Sequence, residues 1–137
     1  MLKTNEEEKG FMREQAINAY AQNHAATTSP EKLIEMLYEG LLRFTTLAKR
    51  AIEAKDNEAK AKWLSRSSDI FIELIGSLKA DGSEMTAYLT GLYIHQIKSL
   101  NEANITNSTK ELNTIIHVVK VLLETWREET GLELEMA

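Results

Sequence analysis

The amino-acid sequence predicts an all-α protein, an antiparallel four-helix bundle with an additional short N-terminal helix. The 137 residues include only six glycines and one proline. An all-β fold needs a turn roughly every 8–12 residues and relies on these two residue types to form it, so the composition argues against one. Apolar residues recur at helical spacing in four long segments. Short polar connections separate these segments, and short connections make neighbouring helices pack antiparallel.

The N-terminal region divides into two parts. Residues 1–12 are polar, with three consecutive glutamates, and are predicted to be a flexible tail. Residues 12–24 place Ile17 and Tyr20 at helical spacing, in a segment too short to be a stable helix without docking on something. We therefore predict one helical-bundle domain over residues 13–130 and a C-terminal tail over 131–137.

The first two long helices have clear end signals. Ser29 is an N-cap residue and Pro30 suits the first helical position, so a helix is predicted from Pro30 to Lys55. A second helix is predicted over Glu58–Lys79, because polar residues separate it from the first. It is expected to stop at Asp81-Gly82, with Gly82 as a glycine C-cap.

The last two helices begin at serine caps. Ser83 is predicted to start a third helix that continues to about Ala103, and a turn is predicted over 104–107. Ser108 opens the sequence Ser-Thr-Lys-Glu, which matches a capping box, and the fourth helix should run to about Glu129.

The composition excludes several classes of protein. Without cysteine there is no disulfide framework, thiolate metal site or cysteine nucleophile. A net charge of −5 and a pI near 5.3 argue against nucleic-acid binding, which depends on basic clusters. No apolar run is long enough to span a bilayer, so membrane insertion is not expected.

The sequence also lacks the patterns of common catalytic and metal sites. The three histidines fall on different predicted helices, and none has a glutamate three residues before it, as a di-iron bundle requires. No Ser-hydrolase elbow, zinc-protease or phosphate-loop motif occurs. Glu35 and Glu39 are interpreted as a solvated helix edge. We therefore predict no enzyme activity, no cofactor and no metal.

The predicted helices carry more apolar surface than one small core requires. On the first long helix the apolar residues spread over roughly 240°, against a stripe of about 100° on a typical surface helix. Val118 and Val121 lie beside the main face of the last helix, and Ile94 points away from that of the third. Either other helices cover these residues, or they form an apolar groove for a partner. Both interpretations are correct if the N-terminal helix covers the groove until a partner displaces it.

Several motifs resemble the flagellar export chaperone family FliS. Their order and spacing hold over about residues 16–129. The matching pieces are Ala19-Tyr20-x-x-Asn23, then Ser29-Pro30-x-x-Leu33-Ile34-x-Met36-Leu37-Tyr38-Glu39-Gly40-Leu41, then Ala48-Lys49-x-Ala51-Ile52-Glu53, Glu102-Ala103-Asn104-Ile105-x-Asn107 and Trp126-Arg127-Glu128.

The resemblance implies a non-enzymatic bundle of the bacterial cytoplasm. It implies that the chain holds the disordered C-terminal segment of flagellin, keeps flagellin from polymerising early and helps deliver it to the flagellar export apparatus. A disordered client can wrap a large surface and dock helical pieces in grooves.

The resemblance and the apolar faces together indicate candidate partner-binding residues. The resemblance implies that the N-terminal segment occupies the groove in the free chaperone, which assigns Ile17 and Tyr20 here as the displaceable cover. The remaining candidates are one groove wall of Leu37, Tyr38, Leu41 and Leu42, with Ile94, Val118 and Val121 as outlying contacts.

Two alternatives remain open on the sequence. His95, followed three residues later by Lys98, resembles the phosphoacceptor helix of histidine phosphotransfer domains, although Ser99 stands where a glycine is expected. The chain is also compatible with a generic adaptor bundle whose client is not flagellin.

Overall fold

A computed structural model describes residues 29–131, and these residues form four α-helices and no strand. The helices are α1 (Pro30–Glu53), α2 (Asn57–Ser77), α3 (Glu84–Thr106) and α4 (Thr109–Thr130). The number and order of the long helices are therefore as predicted. The predicted short N-terminal helix and both tails, apart from Gly131, lie outside the described residues.

The chain divides into two units between Leu33 and Ile34, and the helices pack against one another within the second. Of the first unit the described residues are 29–33, which form the N-cap and first turn of α1. Ser29 Oγ accepts a hydrogen bond from the Lys32 amide at 3.1 Å, which confirms the predicted cap.

Side-chain caps also begin the other three helices. Ser83 and Ser108 each accept a hydrogen bond at 3.2 Å from the amide three residues further on, as predicted. Asp56 accepts one at 3.0 Å from the Ala59 amide and so begins α2.

The predicted ends of α2 and α3 are wrong, and α1 ends at Glu53, two residues before the predicted Lys55. α2 ends at Ser77, where Leu78 adopts an extended backbone, so Gly82 lies in the following connection and caps nothing. This backbone leaves the half-buried Leu78 side chain packed against the core. α3 continues through the predicted turn to Thr106 and ends at Asn107, whose φ of 57° is left-handed. Asparagine tolerates this conformation better than most residues.

A lysine of α2 holds the end of α3. The Lys60 ammonium donates hydrogen bonds to the Asn104 carbonyl at 2.9 Å and to Asn107 Oδ1 at 2.8 Å. A helix end leaves carbonyls without intrahelical partners and carries partial negative charge. The Lys60 ammonium supplies a hydrogen bond to one of these carbonyls and a positive charge next to the helix end. These contacts explain why α3 extends beyond the predicted turn.

Contacts between distant residues show that successive helices run antiparallel. Phe44 in the second half of α1 stacks on Trp63 in the first half of α2, with ring centroids 5.4 Å apart. α2 packs along α3, and α3 along α4. Near the start of α1, Tyr38 packs edge-on against Trp126 near the end of α4. α1 therefore returns to α4 and closes the bundle.

The core is apolar and closely packed. A Cβ added at Gly40 of α1 would lie 3.2 Å from Ile70 Cδ1 of α2, so glycine permits a close approach of the two helices. Within residues 29–131 no buried side-chain nitrogen or oxygen lacks a hydrogen-bond partner. The buried core cluster comprises Tyr38, Leu41, Ala48, Leu64, Ile70, Phe71, Leu74, Tyr93, Leu100, Ala103, Leu112, Ile115, Val119 and Leu123.

Candidate functional site

Large apolar side chains remain outside this core. Among residues 29–131, six of them are at least 43% exposed, and four of the six belong to α3. The six are Ile72, Met85, Tyr88, Ile94, Ile105 and Val121. Exposed apolar groups that do not serve the core are candidates for partner binding.

An open groove of about 460 Å³ runs between α1 and α4, and we call it the arginine groove. Leucines supply its apolar surface, and three arginines and one glutamate its charge. This local excess of positive charge contrasts with the net charge of −5 of the whole chain. The lining residues are Glu39, Leu42, Arg43, Thr46, Leu47, Arg50, Leu123 and Arg127.

One end of the arginine groove is held by an ion-pair network. Arg127 Nε donates to the Glu35 carboxylate at 2.7 Å, and Arg127 Nη2 lies 3.6 Å from the Glu39 carboxylate. The interpretation of Glu35 and Glu39 as a solvated edge is therefore wrong for Glu35, whose side chain has no exposed surface. Glu39 remains exposed. Burial of Glu35 is possible because the guanidinium compensates its charge.

The other two arginines of the groove differ from Arg127. Arg43 and Arg50 are exposed, and neither forms an ion pair with any residue of the described range 29–131. The Arg43 guanidinium lies 5.1 Å from the centre of the Phe44 ring. Both arginines belong to α1. Their convergence with α4 depends on tertiary packing and could not be read from α1 alone.

A second groove, of about 270 Å³, lies between α2 and α3. Its surface is made mainly of small, hydroxyl and amide side chains, so it offers hydrogen bonds more than apolar area. The lining residues are Ala61, Leu64, Ser65, Ser68, Asp69, Leu100, Asn101 and Asn104.

Two tyrosines meet in the centre of the bundle. The hydroxyls of Tyr38 on α1 and Tyr93 on α3 are 2.6 Å apart, and either can donate the hydrogen bond. Burial raises the pKa of Tyr38 far above its ordinary value, and the neighbouring Tyr93 adds to the increase. Burial also raises the pKa of Tyr93, against an opposing effect of the hydrogen bond from Tyr38. Both rings therefore stay neutral at physiological pH.

The predicted groove wall is divided between core and surface. Tyr38 and Leu41 are 4% and 0% exposed, so in this structure neither offers surface to a partner. Leu37 and Leu42 are half-buried and pack against the core from outside. Of the four, only Leu42 lines the arginine groove.

The outlying predicted contacts do not share a surface with Leu42. Val118 is half-buried and Val121 exposed, and both lie roughly 140–160° around α4 from Leu123, which lines the arginine groove. Ile94 is exposed on α3. The structure thus distributes these residues over different faces of the bundle. Ile17 and Tyr20 lie outside the described residues.

The residues of the histidine phosphotransfer alternative lie on α3. His95 and Lys98 are exposed on α3, and the following Ser99 is 8% exposed. Among residues 29–131 no group of histidine, aspartate and glutamate side chains is arranged to hold a metal ion. None of the four described helices is long and apolar enough to cross a membrane.

The comparisons with known proteins agree on one protein family. The model of the family described as flagellar protein FliS matches residues 13–131. The flagellar secretion chaperone FliS of Campylobacter jejuni is 50% identical over 114 residues, covering 82% of this chain and 89% of the relative. That of Bacillus subtilis is 34% identical over 110 residues, covering 80% and 82%. That of Salmonella typhimurium is 30% identical over 121 residues, covering 82% and 87%.

A solved structure supports the fold. A crystal structure described as a flagellar chaperone from bacteria superposes with a TM-score of 0.70 at 22% identity, over 87% of this chain and 98% of that one. These comparisons agree with the resemblance drawn from the motifs, and they give the histidine phosphotransfer alternative no support.

Proposed function

The chain belongs to the FliS family of flagellar secretion chaperones, and on this premise we propose that it binds the disordered C-terminal segment of flagellin. Binding would keep flagellin from polymerising early and present it to the flagellar export apparatus. The proposal places the chain in the bacterial cytosol and gives it no catalytic role.

The observation that carries the proposal is apolar surface outside a core that is already complete. Ile94 and Val121 are not part of the core cluster, and they are 43% and 47% exposed. Exposed aliphatic groups lower the solubility of a protein, and burial of each against a partner contributes about 1.5–3 kcal/mol when complete. A client that covers such residues would gain this energy.

The distribution of this surface favours a client that is disordered before binding. Leu42 lies in the arginine groove, while Ile94 lies on α3 and Val121 far around α4 from that groove. A rigid partner contacts one face, whereas a disordered segment wraps several and folds as it binds. We propose Leu37, Leu42, Ile94, Val118 and Val121 as contacts of such a client.

Calorimetry with the C-terminal segment of the cognate flagellin tests the proposal. We expect a 1:1 complex with a negative change in heat capacity, because apolar surface is buried. No detectable binding at tens of micromolar would contradict the assignment of this client and would favour an adaptor for another protein.

Two variants test the proposed surface. Ile94→Asp and Val121→Asp should each weaken binding about tenfold, a loss of about 1.4 kcal/mol, and should leave the fold intact because both positions are exposed. Ile72→Asp is the matched control, since Ile72 is 52% exposed on α2 and is not a proposed contact. Equal losses in all three variants would indicate a general effect of charge and contradict the proposed contacts.

The cover role of Ile17 and Tyr20 remains a prediction. Deletion of residues 1–24 should leave flagellin binding unchanged or make it tighter, because a competing segment is removed. Marked loss of affinity in a truncated chain that keeps its helical circular-dichroism spectrum would contradict a displaceable cover.

A further inference from the structure

The segment that follows α4 has a pattern that matches the arginine groove. Residues 132–136 read Leu-Glu-Leu-Glu-Met, so apolar and acidic residues alternate strictly. In an extended chain alternate side chains point to opposite sides. Such a segment places Leu132, Leu134 and Met136 on one side, and Glu133 and Glu135 on the other. The arginine groove offers, in the same narrow space, leucines and two arginines, Arg43 and Arg50, that form no ion pair within residues 29–131.

The backbone at the end of α4 permits a reversal of the chain. Gly131 has a φ of 73°, in the left-handed region, and its amide donates to the Arg127 carbonyl at 2.9 Å. A glycine in this conformation ends a helix and turns the chain away from the helix axis. Arg127, four residues earlier, already lines the groove.

The segment is long enough to reach Arg43 but not Arg50. The Glu35–Arg127 pair sets α1 and α4 in register. Along the bundle axis, Gly131 lies about 6 Å from Arg127. Arg43 lies about 12 Å from Glu35 in the opposite direction, so Gly131 and Arg43 are about 18 Å apart along the axis. Glu135 lies about 13 Å along an extended chain from Gly131, and the two side chains span the remainder. Arg50, about 10 Å further along α1, is out of reach.

We propose that residues 132–136 fold back at Gly131 and bind in the arginine groove. Their apolar side lies on Leu42 and Leu123, and Glu135, on the outer side of the segment, pairs with the exposed Arg43 at the rim of the groove. The groove is then occupied by the protein's own chain. If the client proposed above also uses this groove, a step that rests on the proposed function, it must displace the segment.

A spin label on the full-length chain tests the docking without any client. The sequence contains no cysteine, so Ala137→Cys gives a single labelling site. We expect the nitroxide to attenuate strongly the amide signals of Leu42, Arg43 and Thr46. The amides of Ser65 and Ser68, in the groove between α2 and α3, should be unaffected. Attenuation confined to the last turn of α4, or equal in both grooves, would overturn the proposal.

Charge variants identify the pairing. Arg43→Glu should abolish the attenuation, as should Glu135→Arg, which changes no residue of the helices. The two combined should restore it by exchanging the charges. Arg50→Glu is the matched control: it makes the same change of charge in the same groove beyond the reach of Glu135, and should retain the effect. Loss of attenuation in Arg50→Glu equal to that in Arg43→Glu would overturn the pairing.

Other occupants give different results. Attenuation that grows with protein concentration and appears when labelled and ¹⁵N-labelled chains are mixed would assign the groove to the tail of a second copy. Attenuation from a label at Ala16→Cys, with none from Ala137→Cys, would assign it to the N-terminal segment. Either result overturns the proposal.

The competition step has a separate readout. Deletion of residues 132–137 should tighten flagellin binding several-fold if the client uses the groove. Unchanged affinity, together with attenuation by the label, would overturn competition and leave docking supported. Absence of flagellin binding in both chains would instead contradict the proposed function, whatever the label shows.

Discussion

Glu35 of α1 and Arg127 of α4 form a 2.7 Å ion pair between residues 92 positions apart in the sequence. The glutamate side chain is fully buried, whereas the arginine is 25% exposed. The pair joins the first and last helices of the bundle, and its arginine also lines the arginine groove.

Arg127→Leu should lower the free energy of unfolding by about 3 kcal/mol, because it removes the guanidinium that compensates a buried carboxylate. Urea denaturation followed by circular dichroism measures the change. Arg43→Leu, an exposed position without an ion pair in residues 29–131, is the control and should change stability by at most about 0.5 kcal/mol. Similar losses in both variants would show that the pair is not a major source of stability.

The Tyr38–Tyr93 pair predicts a loss of stability in alkali. Both tyrosines have a raised pKa in the folded state, so the unfolded chain gives up their protons first. Their contribution is therefore complete below pH about 10, the ordinary pKa of tyrosine, and is lost as the pH rises above it. Each should add a slope of up to about 1.4 kcal/mol per pH unit.

Urea denaturation from about two pH units below to about one above the ordinary tyrosine pKa of about 10 measures this slope. The double variant Tyr38→Phe/Tyr93→Phe, which has no buried hydroxyl to ionise, should lose most of the slope. A slope that is the same in the double variant would assign alkaline unfolding to other groups.

Lys60→Met should destabilise the end of α3. The substitution keeps an aliphatic side chain but removes the hydrogen bonds to Asn104 and Asn107, at a cost of about 1.5–3 kcal/mol. Hydrogen exchange should quicken at amides of the last turn of α3. Lys62→Met, at an exposed position where the ammonium lies over the Trp63 ring, should cost about 0.5 kcal/mol and leave that exchange unchanged.

Two helical glycines should respond differently to alanine. A Cβ at Gly91 of α3 meets no atom within 4 Å, so Gly91→Ala should stabilise the protein by about 1 kcal/mol through helix propensity. A Cβ at Gly40 lies 3.2 Å from Ile70 Cδ1, so Gly40→Ala should gain less or become destabilising. Thermal unfolding compares the two. A greater gain at Gly40 would show that the approach of α1 and α2 is not limited by packing.

Local signals in the sequence were sufficient for most of the fold. A serine cap acts within one turn, so Ser29, Ser83 and Ser108 each located a helix start correctly. The end of α3 was misplaced because Lys60, 44 residues from Asn104, supplies the hydrogen bonds that extend the helix. The burial of Glu35 was missed for the same reason, since its arginine partner lies on α4.

The candidate site was less predictable than the fold. Helical periodicity identified Ile94 and Val121 as outside the core stripes, and both are exposed. Periodicity did not separate Leu42, on the surface of a groove, from Leu41, in the core, because the apolar arc of α1 includes both. Only the position of the neighbouring helices decides which part of a wide apolar arc stays accessible.

The sequential packing of the helices has a consequence for folding kinetics. α2 packs along α3 and α3 along α4, with connections only a few residues long, so most contacts join residues close in sequence. Helical proteins of low contact order fold in microseconds to milliseconds. Isoleucines and valines of the core promote aggregation while the chain is open, because folding has not yet buried them. Rapid closure of this bundle therefore limits the time in which its own apolar surface could associate wrongly with other chains.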